Sequence, residues 1–146
     1  SSTSWHRAAL IEAAFAHLSE WWFAGTDYTR HWLSYGVSWS SAHADITNYY
    51  LKMGVWGGLP LMVLFISQLA IGFAYVGRTV KQVSVFYPQY GFMIWTIGVS
   101  LFAHSTAFIS VSYFDQSFVF IYLTLALIAS IWSEAINAAG CMQDNE

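Results

Sequence analysis

Apolar residues collect into three long runs, all of them in the last two-thirds of the chain. The first run holds no charged residue from Met53 to Gly77. A helix of that length, at a rise of ~1.5 Å per residue, measures about 37 Å. This exceeds the ~30 Å hydrocarbon core of a bilayer. The pattern therefore predicts three membrane-spanning helices, over about 53–76, 90–110 and 117–133.

The first predicted span begins with residues that interrupt helices. Gly57 and Gly58 precede Leu59 and Pro60, and proline is well suited to the first turn of a helix. We therefore expect the regular part of the span to begin near Leu59. Gly54 and Gly58 also form a GxxxG spacing, which permits close contact with another helix.

The first third of the chain, residues 1–52, is the polar part, with three of the five basic and four of the eight acidic residues. Between Trp5 and Phe23 apolar residues recur with the helical period. They form one stripe: Leu10, Ile11, Ala14, Phe15, Leu18, Trp21 and Trp22. We expect an amphipathic helix, ended by Gly25, that lies along the membrane interface. A loop should cover 26–46.

The predicted fold class is thus an all-α membrane protein, with three transmembrane helices preceded by a periplasmic amphipathic helix and loop. Composition agrees, since 57% of residues are hydrophobic and 9% charged, against about 25% charged in soluble domains. A net charge of −3 without a basic stripe argues against nucleic-acid binding. Cys141 is the single cysteine, so it forms no internal disulfide.

The chain begins without Met and without a signal peptide. We therefore expect the C-terminal portion of a longer multi-span protein; the alternative is a small complete protein that has lost its initiator Met. Arg78 and Lys81 form a basic connector, which favours the cytoplasmic side. That orientation places residues 1–52 and the turn at 111–116 outside, although Lys52 opposes it.

Several side chains on the predicted outer face could carry chemistry. Arg7 falls on the apolar stripe, where a guanidinium is costly unless it meets an anion; alternatively it snorkels to water from a frayed first turn. Arg30 lies in the loop and could equally be a solvated charge. His43 and Asp45 place an imidazole two residues from a carboxylate, which suits proton transfer, although such pairs are common in loops.

Three further features complete the candidates. His104 lies within a predicted span, where an ionisable residue indicates function or a neutral imidazole bound to a neighbouring helix. Aromatic residues recur every three to four positions in the loop and could stack on sugars or anchor the loop at lipid headgroups. The five histidines show no metal-ligand spacing, so no metal site is predicted. The aromatic set is Tyr28, Trp32, Tyr35 and Trp39.

The segment His43-Ala-Asp-Ile-Thr-Asn-Tyr-Tyr-Leu51, followed by Gly57-Gly58-Leu59, resembles the signature of the O-antigen ligase and polymerase family. The family pattern has a large outer loop, a His/Asn segment ending in Tyr-Leu, a glycine pair and a span. In this chain Thr47 stands where the family usually has His directly before Asn. The resemblance covers roughly residues 3–75, and the later spans agree in topology only.

The resemblance implies a bacterial inner-membrane enzyme that moves glycan from an undecaprenyl diphosphate carrier to an acceptor glycan or glycolipid. It implies no cofactor: neither a nucleotide sugar nor an obligatory metal. Arg7 and Arg30 would then stabilise the anionic leaving group, and His43 would act as the base with Asp45 orienting it. The expected substrate-binding residues are Trp32, Tyr35, Trp39 and His104.

Two rival interpretations stay open. One is a fragment of a transporter or flippase, with Gln68 and His104 along a path. The middle of the third span, 118–129, offers only Tyr122 and Thr124 as polar side chains, which disfavours a path. The other is a non-catalytic membrane subunit that packs through Gly54 and Gly58.

Overall fold

The computed structural model describes residues 3–33, 44–111 and 117–143. Within these ranges the chain forms helices and their connections and no strand, which confirms the all-α class. The elements are α1 (Thr3–Ala16), α2 (Leu18–Trp21), a 3₁₀ turn (Arg30–Trp32), α3 (Tyr49–Val83), α4 (Pro88–Ala107) and α5 (Ser117–Gln143).

Two of the described helices are long and apolar enough to cross a membrane: α3, and Phe118–Ala138 within α5. Only 22% and 11% of their most apolar windows are buried in the protein. A core helix of a soluble protein would be mostly buried, so the outward apolar side chains indicate membrane association. Helix α4 coincides with the second predicted span, and its crossing stays a prediction.

Helix α3 is kinked where the sequence places its glycine pair. Gly57 (φ −148°, ψ 22°) and Gly58 (φ 73°, ψ −174°) leave helical geometry. The positive φ of Gly58 is readily adopted only by glycine. Regular helix resumes at Leu59 with Pro60 in its first turn, which confirms the predicted start.

The chain divides into two compact units, and the boundary crosses both α3 and the last turn of α4. The N-terminal unit comprises the described residues of Ser1–Ser67 and Thr106–Tyr113. The C-terminal unit comprises those of Gln68–Ser105 and Phe114–Glu146. The N-terminal unit therefore runs beyond the expected boundary at residue 52, because the first part of α3 packs with the residues that precede it.

The predicted helix from Trp5 to Phe23 is largely helical but breaks at His17 (φ −101°, ψ 22°), which separates α1 from α2. The predicted apolar stripe also divides. One part is buried: Leu10, Ala14 and Trp21. The other part is exposed: Ile11, Phe15 and Trp22. Because one face packs inside the unit, the second apolar face is left for another environment.

Trp21 makes central packing contacts in the N-terminal unit. Its indole Nε1 donates to the Ala14 carbonyl at 2.9 Å. A Cβ on Gly54 would lie 2.5 Å from the Trp21 ring atom Cζ3, so the ring rests directly on the glycine. Leu10, Trp32, Ile46 and Val55 complete the buried cluster. Gly54 is therefore used to pack one part of this chain on another.

In the C-terminal unit, glycines allow α3, α4 and α5 to approach closely. A Cβ on Gly72 would meet Leu101 and Leu125 at 3.0 and 3.1 Å, and one on Gly98 would meet Val76 at 2.7 Å. The outward side chains of α4 and α5 are apolar and exposed, among them Phe92, Trp95, Phe102, Phe120 and Leu123.

Candidate functional site

The N-terminal unit brings two histidines and a glutamate together at its surface. His17 Nδ1 lies 2.8 Å from Glu20 Oε1. His31 Nε2 lies 3.0 Å from Glu20 Oε2 and 3.2 Å from Oε1. The two imidazole rings meet edge to face, with centroids 4.8 Å apart. The three side chains, called the His-Glu-His cluster below, thus share one carboxylate.

Local backbone structure explains how the cluster forms. His17 sits in the single-residue break between α1 and α2, and its carbonyl accepts the Glu20 N–H at 3.0 Å. That turn places the two side chains three residues apart on one face. Gly25, with φ 82°, then reverses the chain. The 3₁₀ turn returns His31 to the same carboxylate.

Two aromatic side chains hold the imidazoles in position. The Trp32 ring stacks nearly parallel to His17, with centroids 5.8 Å apart and 5° between planes. Tyr28 stacks on His31 at 5.3 Å and 11°. Trp32 Nε1 also donates to Glu20 Oε2 at 3.2 Å. The cluster therefore has its own supporting layer.

These donors favour the charged form of the carboxylate. The hydrogen bond from Trp32, followed by those involving His17 and His31, lowers the pKa of Glu20 from 4.5 to about 2. Hydrogen bonds to a carboxylate stabilise it against protonation. Glu20 is consequently an anion at any physiological pH.

The expected catalytic residues occupy other places in the same unit. Arg7 is exposed on α1 and forms no ion pair with the part of the chain that the structure describes. Arg30 is exposed at the first residue of the 3₁₀ turn, directly before His31. Asp45 is half-buried ahead of α3, where its charge acts on Lys52. His43 lies outside the described residues.

The expected substrate-binding residues divide in the same way. The Trp32 side chain is 6% exposed and belongs to the buried cluster. Its ring stacks on His17, and its predicted stacking on a sugar stays a prediction. His104 is partly exposed in α4, which is in the C-terminal unit. Tyr35 and Trp39 lie outside the described residues.

Hydrogen bonds anchor the segment that resembles the family signature. Asn48 Oδ1 accepts the Leu51 N–H at 3.0 Å, capping α3, while Asn48 Nδ2 donates to the Ile109 carbonyl at 3.1 Å. The Tyr49 N–H donates to the Phe108 carbonyl at 2.8 Å. Upstream, the Ala44 N–H donates to the buried Thr29 hydroxyl at 3.0 Å. The asparagine of the signature is thus a helix cap.

Sequence reasoning missed the His-Glu-His cluster. The contact between His17 and Glu20 could have been predicted, because the two residues are three apart in a helical pattern. The contact between Glu20 and His31 depends on the turn that returns His31 across eleven residues. Chemically, two imidazoles and a carboxylate at the surface could exchange protons or coordinate a cation.

Comparisons of the chain with protein-family models, with curated proteins and with solved structures found no match.

Proposed function

We propose that this chain is part of a bacterial inner-membrane glycosyltransferase of the O-antigen ligase and polymerase type. The reaction would move glycan from an undecaprenyl diphosphate carrier to an acceptor glycan or glycolipid. Helices able to cross a membrane support the proposal, as does the signature segment between His43 and Leu51. A row of exposed residues on α1, called the α1 ridge below, supports the proposed substrate class.

That ridge carries the proposal. Arg7, Ile11 and Phe15 are spaced four residues apart on α1 and are all exposed. Residues at this spacing lie along one helix face. A surface with apolar side chains and one guanidinium at its end complements an amphiphile with an apolar tail and an anionic head. An isoprenoid diphosphate is such a molecule.

The proposed chemistry divides between charge and proton transfer. Departure of the carrier leaves negative charge on the diphosphate, and Arg7 and Arg30 would stabilise it as it develops. His43 would take the proton from the acceptor hydroxyl, with Asp45 orienting its ring. The proposed transfer uses neither a metal ion nor a nucleotide sugar.

In the proposed orientation α4 crosses the membrane as the second of three spans, and residues 1–52 lie on the periplasmic side. The basic connector with Arg78 and Lys81 is then cytoplasmic. Gln82 is exposed beside them, so Gln82→Cys in a chain lacking Cys141 reports the side and keeps both charges. Labelling by an impermeant thiol reagent in intact cells would refute the orientation.

Arginine replacement tests the transferase assignment in the full-length protein. We expect Arg7→Ala and Arg30→Ala each to lower glycan transfer a hundredfold or more, since one aimed donor is worth about 3 kcal/mol. Replacement by lysine should restore only part of the transfer rate, because an ammonium group lacks the planar pair of N–H donors that binds two phosphate oxygens at once. Lys81→Ala is the control for loss of a cation.

The measurement is glycan transfer in membranes that contain equal amounts of each variant. His43→Ala should be nearly as damaging as the arginine variants, and Asp45→Ala milder. Near-normal transfer by all four variants would reject the enzyme assignment and favour a non-catalytic subunit. Loss of substrate movement without loss of transfer would favour the transporter alternative.

A further inference from the structure

The His-Glu-His cluster presents ligand atoms of the types that bind zinc. His17 and His31 each offer a ring nitrogen and Glu20 offers a carboxylate oxygen, and these atoms all lie within 4.8 Å of one another. In a tetrahedral site with bonds of ~2.0–2.1 Å, neighbouring ligand atoms are about 3.3 Å apart. Glu20 Oε1 lies 2.8 Å from His17 Nδ1 and 3.2 Å from His31 Nε2, so both nitrogen–oxygen pairs are already near that spacing.

Only the two imidazole nitrogens would have to approach each other. Both rings are partly exposed, so a small rotation about the χ angles, which leaves each ring stacked on its aromatic neighbour, can supply that movement without displacing a helix. The side chains of His17, Glu20 and His31 are 32%, 36% and 38% exposed. An ion can therefore enter from solvent, and a water molecule can complete its coordination.

The surroundings also resemble those of metal sites. Metal ligands are commonly oriented by a second layer of hydrogen bonds, and Trp32 Nε1 donates to the carboxylate that would be shared. The stacking of Trp32 on His17 and of Tyr28 on His31 fixes the ring planes. This preorganisation lowers the entropy that binding would otherwise cost.

We propose that His17, Glu20 and His31 form a binding site for a divalent transition-metal ion, with Zn²⁺ as the best match. Two nitrogen donors and one oxygen donor suit zinc, whereas Mg²⁺ and Ca²⁺ prefer oxygen ligands throughout. The ion joins the α1–α2 break to the 3₁₀ turn and closes the intervening chain. This inference does not rest on the proposed glycosyl transfer, in which no metal takes part.

The test is titration of the full chain in detergent micelles, after chelator treatment, with ZnCl₂ and separately with MgCl₂. We expect one Zn²⁺ per chain, no comparable Mg²⁺ binding, and a higher unfolding temperature in the zinc-loaded protein. Bound Co²⁺ should show the intense visible absorption of a four-coordinate site. Equal binding of Mg²⁺, or six-coordinate Co²⁺ spectra, would overturn the assignment.

Variants assign the ligands. His17→Asn, Glu20→Gln and His31→Asn should each weaken Zn²⁺ binding at least a hundredfold. Glu12→Gln, an exposed carboxylate in α1, and His6→Asn are matched controls that should bind as the parent does. Unchanged binding by the three ligand variants, or equal loss in the controls, would reject the site.

Trp32→Phe provides a second readout that does not depend on the folding of the ligand variants. The phenyl ring keeps an aromatic surface beside His17 but removes the N–H donor to Glu20. Loss of such a second-layer bond typically costs tenfold or more in metal affinity. We expect that decrease with unchanged stoichiometry and helix content; unchanged affinity would overturn the role of Trp32 as second-layer support of the site.

Discussion

Among the described residues, glycines with positive φ lie in the N-terminal unit, which also holds Gly54, a helical glycine packed on a side chain. In the N-terminal unit, Gly25 and Gly58 adopt positive φ values, and a Cβ on either would collide with backbone atoms. In the C-terminal unit, Gly72 and Gly98 are ordinary helical residues, and an added Cβ would meet only side chains. Side chains can shift and backbone cannot, so the two units should tolerate substitution very differently.

The two units also differ in the interactions that hold them together. The N-terminal unit folds a polar segment onto the start of α3 and relies on directed hydrogen bonds, such as that from Leu59 N–H to the Trp22 carbonyl at 2.7 Å. The C-terminal unit packs apolar helices whose outward faces are also apolar. Within a bilayer, close packing of small residues replaces the hydrophobic effect as the source of helix association.

The largest effect should follow from Gly58→Ala. Its φ of 73° and ψ of −174° fall in a region open essentially to glycine, which costs ~1–3 kcal/mol for other residues. The new Cβ would also overlap the Phe23 carbonyl group. We expect destabilisation of the N-terminal unit by about 3 kcal/mol or more, measured by thermal loss of near-UV circular dichroism in detergent.

Gly77→Ala is the matched control, because no heavy atom lies within 4 Å of the Cβ that it adds. Alanine in the interior of a helix is favoured over glycine by ~0.5–1 kcal/mol. This variant should therefore be slightly more stable than the parent. If Gly58→Ala behaved like Gly77→Ala, the kink would not require its glycine.

Gly98→Ala should have an intermediate effect. Its Cβ would lie 2.7 Å from Val76 Cγ1, and the β-branched valine has little rotamer freedom in a helix. Overpacking of this kind costs ~1–3 kcal/mol. Adding Val76→Ala should recover part of the loss in a double-mutant cycle. Strictly additive effects would contradict the contact.

Asn48→Ala should cost about 1–2 kcal/mol, since it removes both the cap of α3 and the donor to Ile109. Asn48→Asp separates the two contributions: it keeps an acceptor for the Leu51 N–H but has no Nδ2 donor. We expect Asp to recover most of the capping energy in chemical denaturation. Identical losses for both variants would show that the cap contributes nothing measurable.

The smallest effect concerns acid stability. Because the pKa of Glu20 falls from 4.5 to about 2 on folding, its stabilisation is present above pH 4.5. It is lost as the pH drops toward about 2. In metal-free protein, the parent should lose stability more steeply than Glu20→Gln over that window. If the stability of the parent and of Glu20→Gln changed with pH in the same way, the Glu20 carboxylate would not stabilise the cluster.

Features of the fold that depend on a residue's own conformational preference were predictable from the sequence, and features that depend on tertiary packing were not. The α3 kink and the start of regular helix near Leu59 follow from Gly58 and Pro60, whose preferred conformations are intrinsic. The break at His17 was not predicted, because the apolar period continues through it to Trp21. Neither was the burial of Trp32, since which aromatic residues enter a core depends on tertiary packing.

The candidate site was less predictable than the fold. His17, Glu20 and His31 converge only because the chain reverses at Gly25 and returns through the 3₁₀ turn. Sequence spacing does not show that the chain returns His31 to Glu20, so the sequence alone predicts no contact between the two histidines. The position of Arg7 on the apolar face of α1 was predictable from the sequence, because it follows directly from the helical period.

The hydrogen bond between Leu59 and Trp22 limits how this chain can be recombined. At the kink, α3 leaves backbone groups that its own helix does not satisfy, and the loop after α2 supplies partners: Thr26 N–H donates to the Val55 carbonyl as well. A chimera joined at residue 52 would take the two partners of each hydrogen bond from different chains. Exchange of the N-terminal segment between chains should therefore include the helix through Leu61, so that the loop and the kink come from the same chain.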